Sequence, residues 1–254
     1  MTEDYALFKL SSGLHTYHIN PSSWVNAHHL SYFKFIGRLI GRAIFDKKLL
    51  DCCFTRSFYK QMLGKPVNFE DLENEDYDFY KGLKFLLDNS VDDIGADITF
   101  SHQISEFGES KTVELKPNGF EILVTDDNKQ EYTQLMSKMR LFTQIKDQLN
   151  NFLQGFYEVL PKDLISIFNE QELEFLISGL PEYNIDDLRA NTEYVGYNSR
   201  SIQVVWLFDA LKSFDDTLKA QFIQFVTGSS RIPVQGFSHL QGMNGIQKFT
   251  VIIT

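Results

Sequence analysis

Eight apolar side chains in one stretch constrain this chain most. Tyr132, Leu135, Met139, Phe142, Ile145, Leu149, Phe152 and Phe156 recur at intervals of three and four residues. A helix of 3.6 residues per turn gathers such a set on one side, so the spacing predicts a long helix buried along one face. Asn128 with Glu131 reads as a capping box at its start, and Pro161 lies beyond its end. The same periodicity predicts a helix from about His28 to Phe45, with Asn26 as its N-cap and Leu30, Phe33, Ile40 and Ile44 on its apolar face. Lys34, Arg38 and Arg42 fall four apart on another face and read as a solvated stripe. Gly37 and Gly41 weaken helix propensity but permit close helix approach. Further helices are expected at Arg56–Leu63, Asp78–Asn89, Ser201–Phe214 and Asp216–Val226. Another follows Asn169, with Glu172 at N3 and Gly179 at C′.

Residues 91–125 depart from this pattern. Thr112–Leu115 alternates, Asn118-Gly119 reads as a turn, Phe120–Val124 is β-prone, and residues 98–100 read as a short strand. A small α+β patch is expected there, and a last strand at Lys248–Ile253. Residues 191–199 are short and polar around Gly196 and separate two apolar-rich blocks, which marks a linker. The class is α+β, mostly helical.

At 254 residues the chain has room for one large domain or two modest ones, and 43% apolar residues suffice for a sizeable core. A formal charge of −10 argues against nucleic acid as a main ligand and is compatible with a basic protein partner, though it fits plain solubility better. No window approaches the ~20 apolar residues of a membrane span, and the start MTEDYALF lacks the features of a secretory signal. Cys52 and Cys53 are adjacent and can build no disulfide framework, so a reducing, intracellular (cytoplasmic) setting is expected. Asp51 before them and Phe54 after them point to structural cysteines rather than a nucleophile, while the basic Lys47, Lys48 and Arg56 nearby keep the nucleophile reading open. Neither that pair nor the six histidines has metal-ligand spacing. His15, His18, His28, His29, His102 and His239 form no legible triad, and no phosphate-binding loop is present. No metal and no cofactor are expected.

Several segments, in order, resemble one family. They are LSYFKFIGRLIGRAIFDKKLLD at 30–51, ITFSHQISEFGESKTVELKPNG at 98–119, VTDDNKQEY at 124–132, FLQGFYEVLPKDLISIFNEQELEFLISG at 152–179, TEYVGY at 192–197 and FIQFVTGSSRIPVQGFSHLQGMNGIQKFT at 222–250. Together they resemble the HECT-type E3 ubiquitin-protein ligases, in particular the Nedd4-like group. The resemblance implies a bilobal fold: an N-lobe at 1–191 with a small subdomain at about 66–125, a hinge at 192–197 (Tyr194, Gly196, Tyr197), and a partial C-lobe at 198–254.

Family chemistry is two acyl transfers. A ubiquitin-conjugating enzyme (E2) passes ubiquitin to a HECT cysteine as a thioester, and a lysine of the protein substrate then attacks it. Such transfer rests on positioning more than on activation. The resemblance implies an E2 groove at Phe79, Leu83, Leu87 and Ile98, to be filled by an aromatic anchor of the E2. Phe79, Leu83 and Leu87 repeat at i, i+4 and i+8, so one helix stripe can present all three, as it would also if they only packed a core. Tyr59 and Phe152 match aromatic positions of a second, non-covalent ubiquitin site, and core packing explains each equally well. The family pattern continues past Thr250 to a loop bearing the catalytic cysteine and begins before Leu7, so a fragment truncated at both ends is expected. It would carry no catalytic residue, be inactive alone and expose apolar surface. A non-catalytic module binding E2 or ubiquitin, or a truncated gene product, stays open as the alternative.

Overall fold

The computed structural model describes residues 6–11, 16–95, 97–106, 109–180, 182–242 and 245–252. These form two compact units. One holds residues up to 39 and 53–170; the other holds 40–52 and 171 onward. The division does not follow sequence order: residues 171–191, expected with the first lobe, cluster with those after them, as do residues 40–52.

The first unit opens with an antiparallel pair, β1 (Phe8–Leu10) and β2 (Tyr17–Ile19), with Lys9 opposite His18. Helix α1 (His29–Phe45) follows, its residues up to Leu39 in this unit and those from Ile40 in the other. Asn26 precedes it as expected, its side chain accepting from the His28 N–H at 3.2 Å. Next come α2 (Arg56–Met62), α3 (Leu72–Glu75), α4 (Tyr77–Asp88) and α5 (Val91–Ile94). The hairpin β3 (Ser101–Glu106) and β4 (Glu109–Glu114) then leads to α6 (Lys129–Leu141), α7 (Lys146–Val159) and α8 (Lys162–Ile165). Phe8, Phe33, Phe54, Phe58 and Phe152 interlock in one core; the Phe58 and Phe152 rings lie 4.8 Å apart and those of Phe54 and Phe58 5.0 Å. Such tilted and edge-on pairs add to the area they bury.

Two glycines set the crossing of α1 and α7. A Cβ on Gly37 would fall 2.8 Å from the Phe156 nitrogen and closer still to the Phe152 carbonyl oxygen. One on Gly155 would fall 2.9 Å from the Lys34 carbonyl carbon and closer to its oxygen. Beside this crossing, Glu158 receives both Lys34 (2.8 Å) and Arg38 (2.5 Å); in the second unit's part of the helix, Arg42 pairs with Asp46 just past the helix end. The basic stripe is therefore engaged in ion pairs.

The long helix expected from Asn128 to beyond Phe156 is two helices. Phe142 leaves the helical region (φ −132°, ψ −54°), a 3-10 turn covers Thr143–Ile145, and α7 restarts the path. The Leu141 carbonyl, freed at the break, accepts from the buried Gln61 amide at 2.7 Å. The capping box is also absent. Asn128 accepts from the Thr125 N–H and donates to the Leu123 carbonyl, while Glu131 pairs with Lys116. Its side chain closes the preceding turn instead of capping the helix.

A second core of this unit gathers Leu72, Tyr80, Leu83, Leu86, Phe100, Tyr132 and Met136. The residues read as a strand at 98–100 make only a bridge, Thr99 opposite Leu123, with Val124 N–H on the Ile98 carbonyl at 2.8 Å. Residues 119–121 are a 3-10 turn, entered through Asn118 at φ +60°. The hairpin that carries the sheet starts at Ser101, just after the expected strand, with Gln103 opposite Thr112.

In the second unit, α9 (Glu170–Ser178) ends as expected at Gly179 (φ +74°), whose N–H reaches the Phe175 carbonyl. The Ser178 hydroxyl donates to the Cys52 carbonyl, and Leu50 N–H to Ile177, so residues 49–52 line this helix end. Asn184 caps α10 (Ile185–Ala190). Then come β5 (Glu193–Val195), α11 (Ile202–Ser213), α12 (Asp216–Thr227), the short pair β6 (Gln241–Gly242) and β7 (Gly245–Ile246), and β8 (Thr250–Ile252). Part of the expected linker is thus a strand: β5 pairs in parallel with β8, Tyr194 opposite Val251. Leu188, Val204, Phe208, Leu211, Ile223, Ile232 and Phe237 fill this unit's core.

Candidate functional site

Helix α4 presents the candidate stripe. Asp76 caps it, its Oδ1 accepting from the Phe79 N–H at 3.2 Å. Tyr80, Leu83 and Leu86 face the core and Tyr77, Lys81 and Phe85 face solvent. Phe79, Leu83 and Leu87 run along the border: Leu83 is buried, and Phe79 and Leu87 are half-buried. Ile98, also half-buried, packs with Phe79 against the core that holds Leu83. The structure therefore gathers Phe79, Leu83 and Ile98 around one core and sets Leu87 further along the same helix.

Around Phe79 stand groups the sequence did not single out for this site. Arg140 on α6 reaches Asp76 Oδ2 through Nη2 at 2.6 Å, and its guanidinium carbon lies 5.6 Å from the centre of the Phe79 ring. His102 on β3 meets that ring edge-on at 5.9 Å. Burial, and then the Arg140 charge, hold its imidazole below the ordinary histidine value, which favours the uncharged ring. Asp76 carries a legible signal, a cap residue just before an apolar-periodic run. Arg140 lies 64 residues away from it and carries none.

Tyr59 and Phe152 are core residues, 1% and 0% exposed. The Tyr59 hydroxyl accepts from the Phe54 N–H at 3.0 Å, and the Phe152 ring packs on Phe58. Their ring faces are taken up by the fold, which corrects the expectation that they line a surface for ubiquitin. Cys52 is buried, Cys53 is half-buried, and the two are not bridged to each other. Tyr194 lies in β5 and donates to the Arg189 carbonyl at 3.3 Å; Gly196 is left-handed at φ +77°; Tyr197 packs on the core of its unit.

One buried constellation joins a serine, an acid and a histidine. Glu75 accepts the Ser57 hydroxyl on one oxygen and faces His18 Nδ1 at 3.2 Å on the other. The acid stands between the other two, so the histidine cannot take the serine's proton, and the set ties β2, α2 and α3 together instead.

A family model described as HECT-domain (ubiquitin-transferase) matches residues 1–253. The chain belongs to the HECT family. The chain is 58% identical to the E3 ubiquitin-protein ligase HUWE1 of Mus musculus over 97% of its length, which is 6% of that protein. It is 47% identical to the E3 ubiquitin-protein ligase TOM1 of Saccharomyces cerevisiae over 98% of its length, 8% of that protein. To the E3 ubiquitin-protein ligase UPL1 of Arabidopsis thaliana it is 48% identical over 93% of its length, 7% of that protein. This HECT chain thus spans less than a tenth of the curated relatives it matches. These names bear on the family and not on the Nedd4-like grouping within it. The α+β HECT fold expected from the sequence stands. No helix among the described residues is long and apolar enough to cross a membrane.

Proposed function

We propose that this chain is the E2-docking part of an intracellular HECT ubiquitin transferase, acting with an E2, ubiquitin and a protein substrate. The observation that carries the reading is the border stripe on α4: Phe79 and Leu87 half-buried and Leu83 buried between them, with Ile98 beside Phe79. Half-open apolar side chains such as Phe79, Leu87 and Ile98, set around the buried Leu83, suit an aromatic anchor, because each is already partly desolvated. The small subdomain, about residues 66–125, supplies these side chains. Gly196 adopts a φ of +77°, open to glycine at little cost, but residues on both sides of 192–197 belong to one unit and β5 within the segment pairs with β8, so the hinge implied by the resemblance is not part of this proposal. The ubiquitin carried by the E2 passes to a family cysteine other than Cys52 or Cys53. Cys52 is buried in the second unit, where its carbonyl takes the Ser178 hydroxyl.

The test is a titration of the chain with an E2 carrying ubiquitin, followed by NMR and by non-reducing gel. Shifts on the exposed aromatic loop of the E2, lost on Leu87→Ser, are expected, with no thiol-sensitive adduct at Cys52 or Cys53. Shifts that survive Leu87→Ser would refute the groove, and an adduct removed by Cys53→Ser would refute the assignment of the thiols.

A further inference from the structure

Four side chains from three elements meet at one corner of the first unit. Asp76 uses both carboxylate oxygens: Oδ1 caps α4 at the Phe79 N–H, and Oδ2 takes Arg140 at 2.6 Å. The carboxylate that starts the helix therefore also fixes the guanidinium from α6. That guanidinium lies beside the Phe79 ring at 5.6 Å, and His102 closes the ring's edge at 5.9 Å. Among the described residues Asp76 is the sole hydrogen-bond partner of the Arg140 side chain, which stays about a third in solvent.

We propose that Arg140 is a positioning residue for E2 recognition: anchored by Asp76, it holds the Phe79 ring as one wall of the groove. This rests on the groove reading above. The core beneath holds the inner side of the half-buried Phe79 ring, and its outer side depends on the groups around it. Those groups are a cation on one side and an imidazole edge on the other. A cation near the ring is attracted to its electron-rich face, and the attraction is stronger where water is partly excluded. Asp76 removes the side-chain freedom that Arg140 would otherwise keep, so the wall is set before the partner arrives. The partner chemistry that fits is an apolar or aromatic side chain sliding along a fixed ring. The Asp76–Arg140 pair itself is partly exposed and contributes little to folding.

The experiment compares Arg140→Gln, Arg140→Lys and Leu87→Ser in the full chain, each titrated with the same E2 by NMR and followed by stopped flow at low and high salt. Arg140→Gln is expected to weaken E2 binding about five- to tenfold through faster dissociation, with the melting midpoint nearly unchanged. Arg140→Lys keeps the charge but not the planar fork, and should recover only part of the loss. If Leu87→Ser weakens binding and Arg140→Gln does not, the positioning role is wrong and the groove stands. If the loss lies in association and vanishes at high salt, Arg140 is a steering charge and the proposal is also overturned. If neither variant changes binding, the groove reading itself fails.

Discussion

Gly37→Ala should destabilise this protein although it improves a helix. Alanine in mid-helix is favoured over glycine by about 1 kcal/mol. Against that stands the crossing of α1 and α7, where the added methyl would lie 2.8 Å from the Phe156 nitrogen and nearer to the Phe152 carbonyl oxygen. Both obstacles are backbone, so no side chain can rotate away, and the helices must part. Phe33, Phe58, Phe152 and Phe156, all buried, lose contact as they do. Overpacking of this kind costs about 3 kcal/mol, near the upper end of its usual range, which leaves a net loss of about 2 kcal/mol. For a protein of this size that lowers the melting midpoint by roughly 4–8 °C. Urea unfolding followed by far-UV circular dichroism reads it directly. Gly155→Ala should act alike from the other side, and the double variant should cost less than the sum, since the helices are already apart. Gly82→Ala on α4 is the control. A methyl there meets nothing within 4 Å, so a gain of about 0.5–1 kcal/mol is expected. A Gly37→Ala protein as stable as the parent would refute the argument that glycine sets the crossing.

Stability should also fall on mild acidification. His102 is held below its ordinary value near 6.5, first by burial and then by Arg140, so below that pH the unfolded chain binds the extra proton and the folded chain resists it. The melting midpoint should therefore hold above about pH 6.5 and drop below it. His29, lowered by burial with Asp147 opposing, leans the same way, so His102→Gln should remove part of the slope; an unchanged slope would count against this cause. Tyr59→Phe should leave the buried Phe54 N–H without its acceptor and cost about 1–3 kcal/mol in urea unfolding. Non-covalent ubiquitin binding by that variant, measured by NMR, should equal the parent's, and a selective loss of it would return Tyr59 to the surface role.

The helices were legible because a buried face repeats with the helical period, and α1, α2, α4, α11 and α12 begin and end close to where that pattern does. The break between α6 and α7 left no trace in the same pattern. Phe142 and Ile145 are three apart in either a helix or a 3-10 turn, so the period passes through the break unchanged. What marks the break is the Leu141 carbonyl bonded to Gln61, a partner far away in sequence. The capping box failed for a related reason: the residues were present, but Asn128 had a nearer use in the turn at 123–125 and Glu131 found Lys116. Glu193–Val195 looked like a linker because a short strand in a polar setting reveals itself only through its partner, here β8. At the candidate site the α4 stripe was legible from spacing, whereas Arg140 beside Phe79 is a tertiary fact. For Tyr59 and Phe152, core and surface readings weighed equally in the sequence, and burial decides for the core.

The interleaving of the two units bears on how the chain comes to be folded. Residues 40–52 belong with 171 onward, and the whole of 53–170 intervenes. A ribosome releases the early segment long before the segments it will contact. Until then its buried members, such as Ala43 and Cys52, lack the later part of the unit they are buried in. Contacts between such distant segments carry a loop-closure cost before they return anything, so this unit should be the slower to assemble. The parallel pairing of β5 with β8 adds a second late closure within it. During synthesis the first unit can mature while the second waits, and that interval is when the nascent chain would be most exposed to misassembly and most dependent on chaperones.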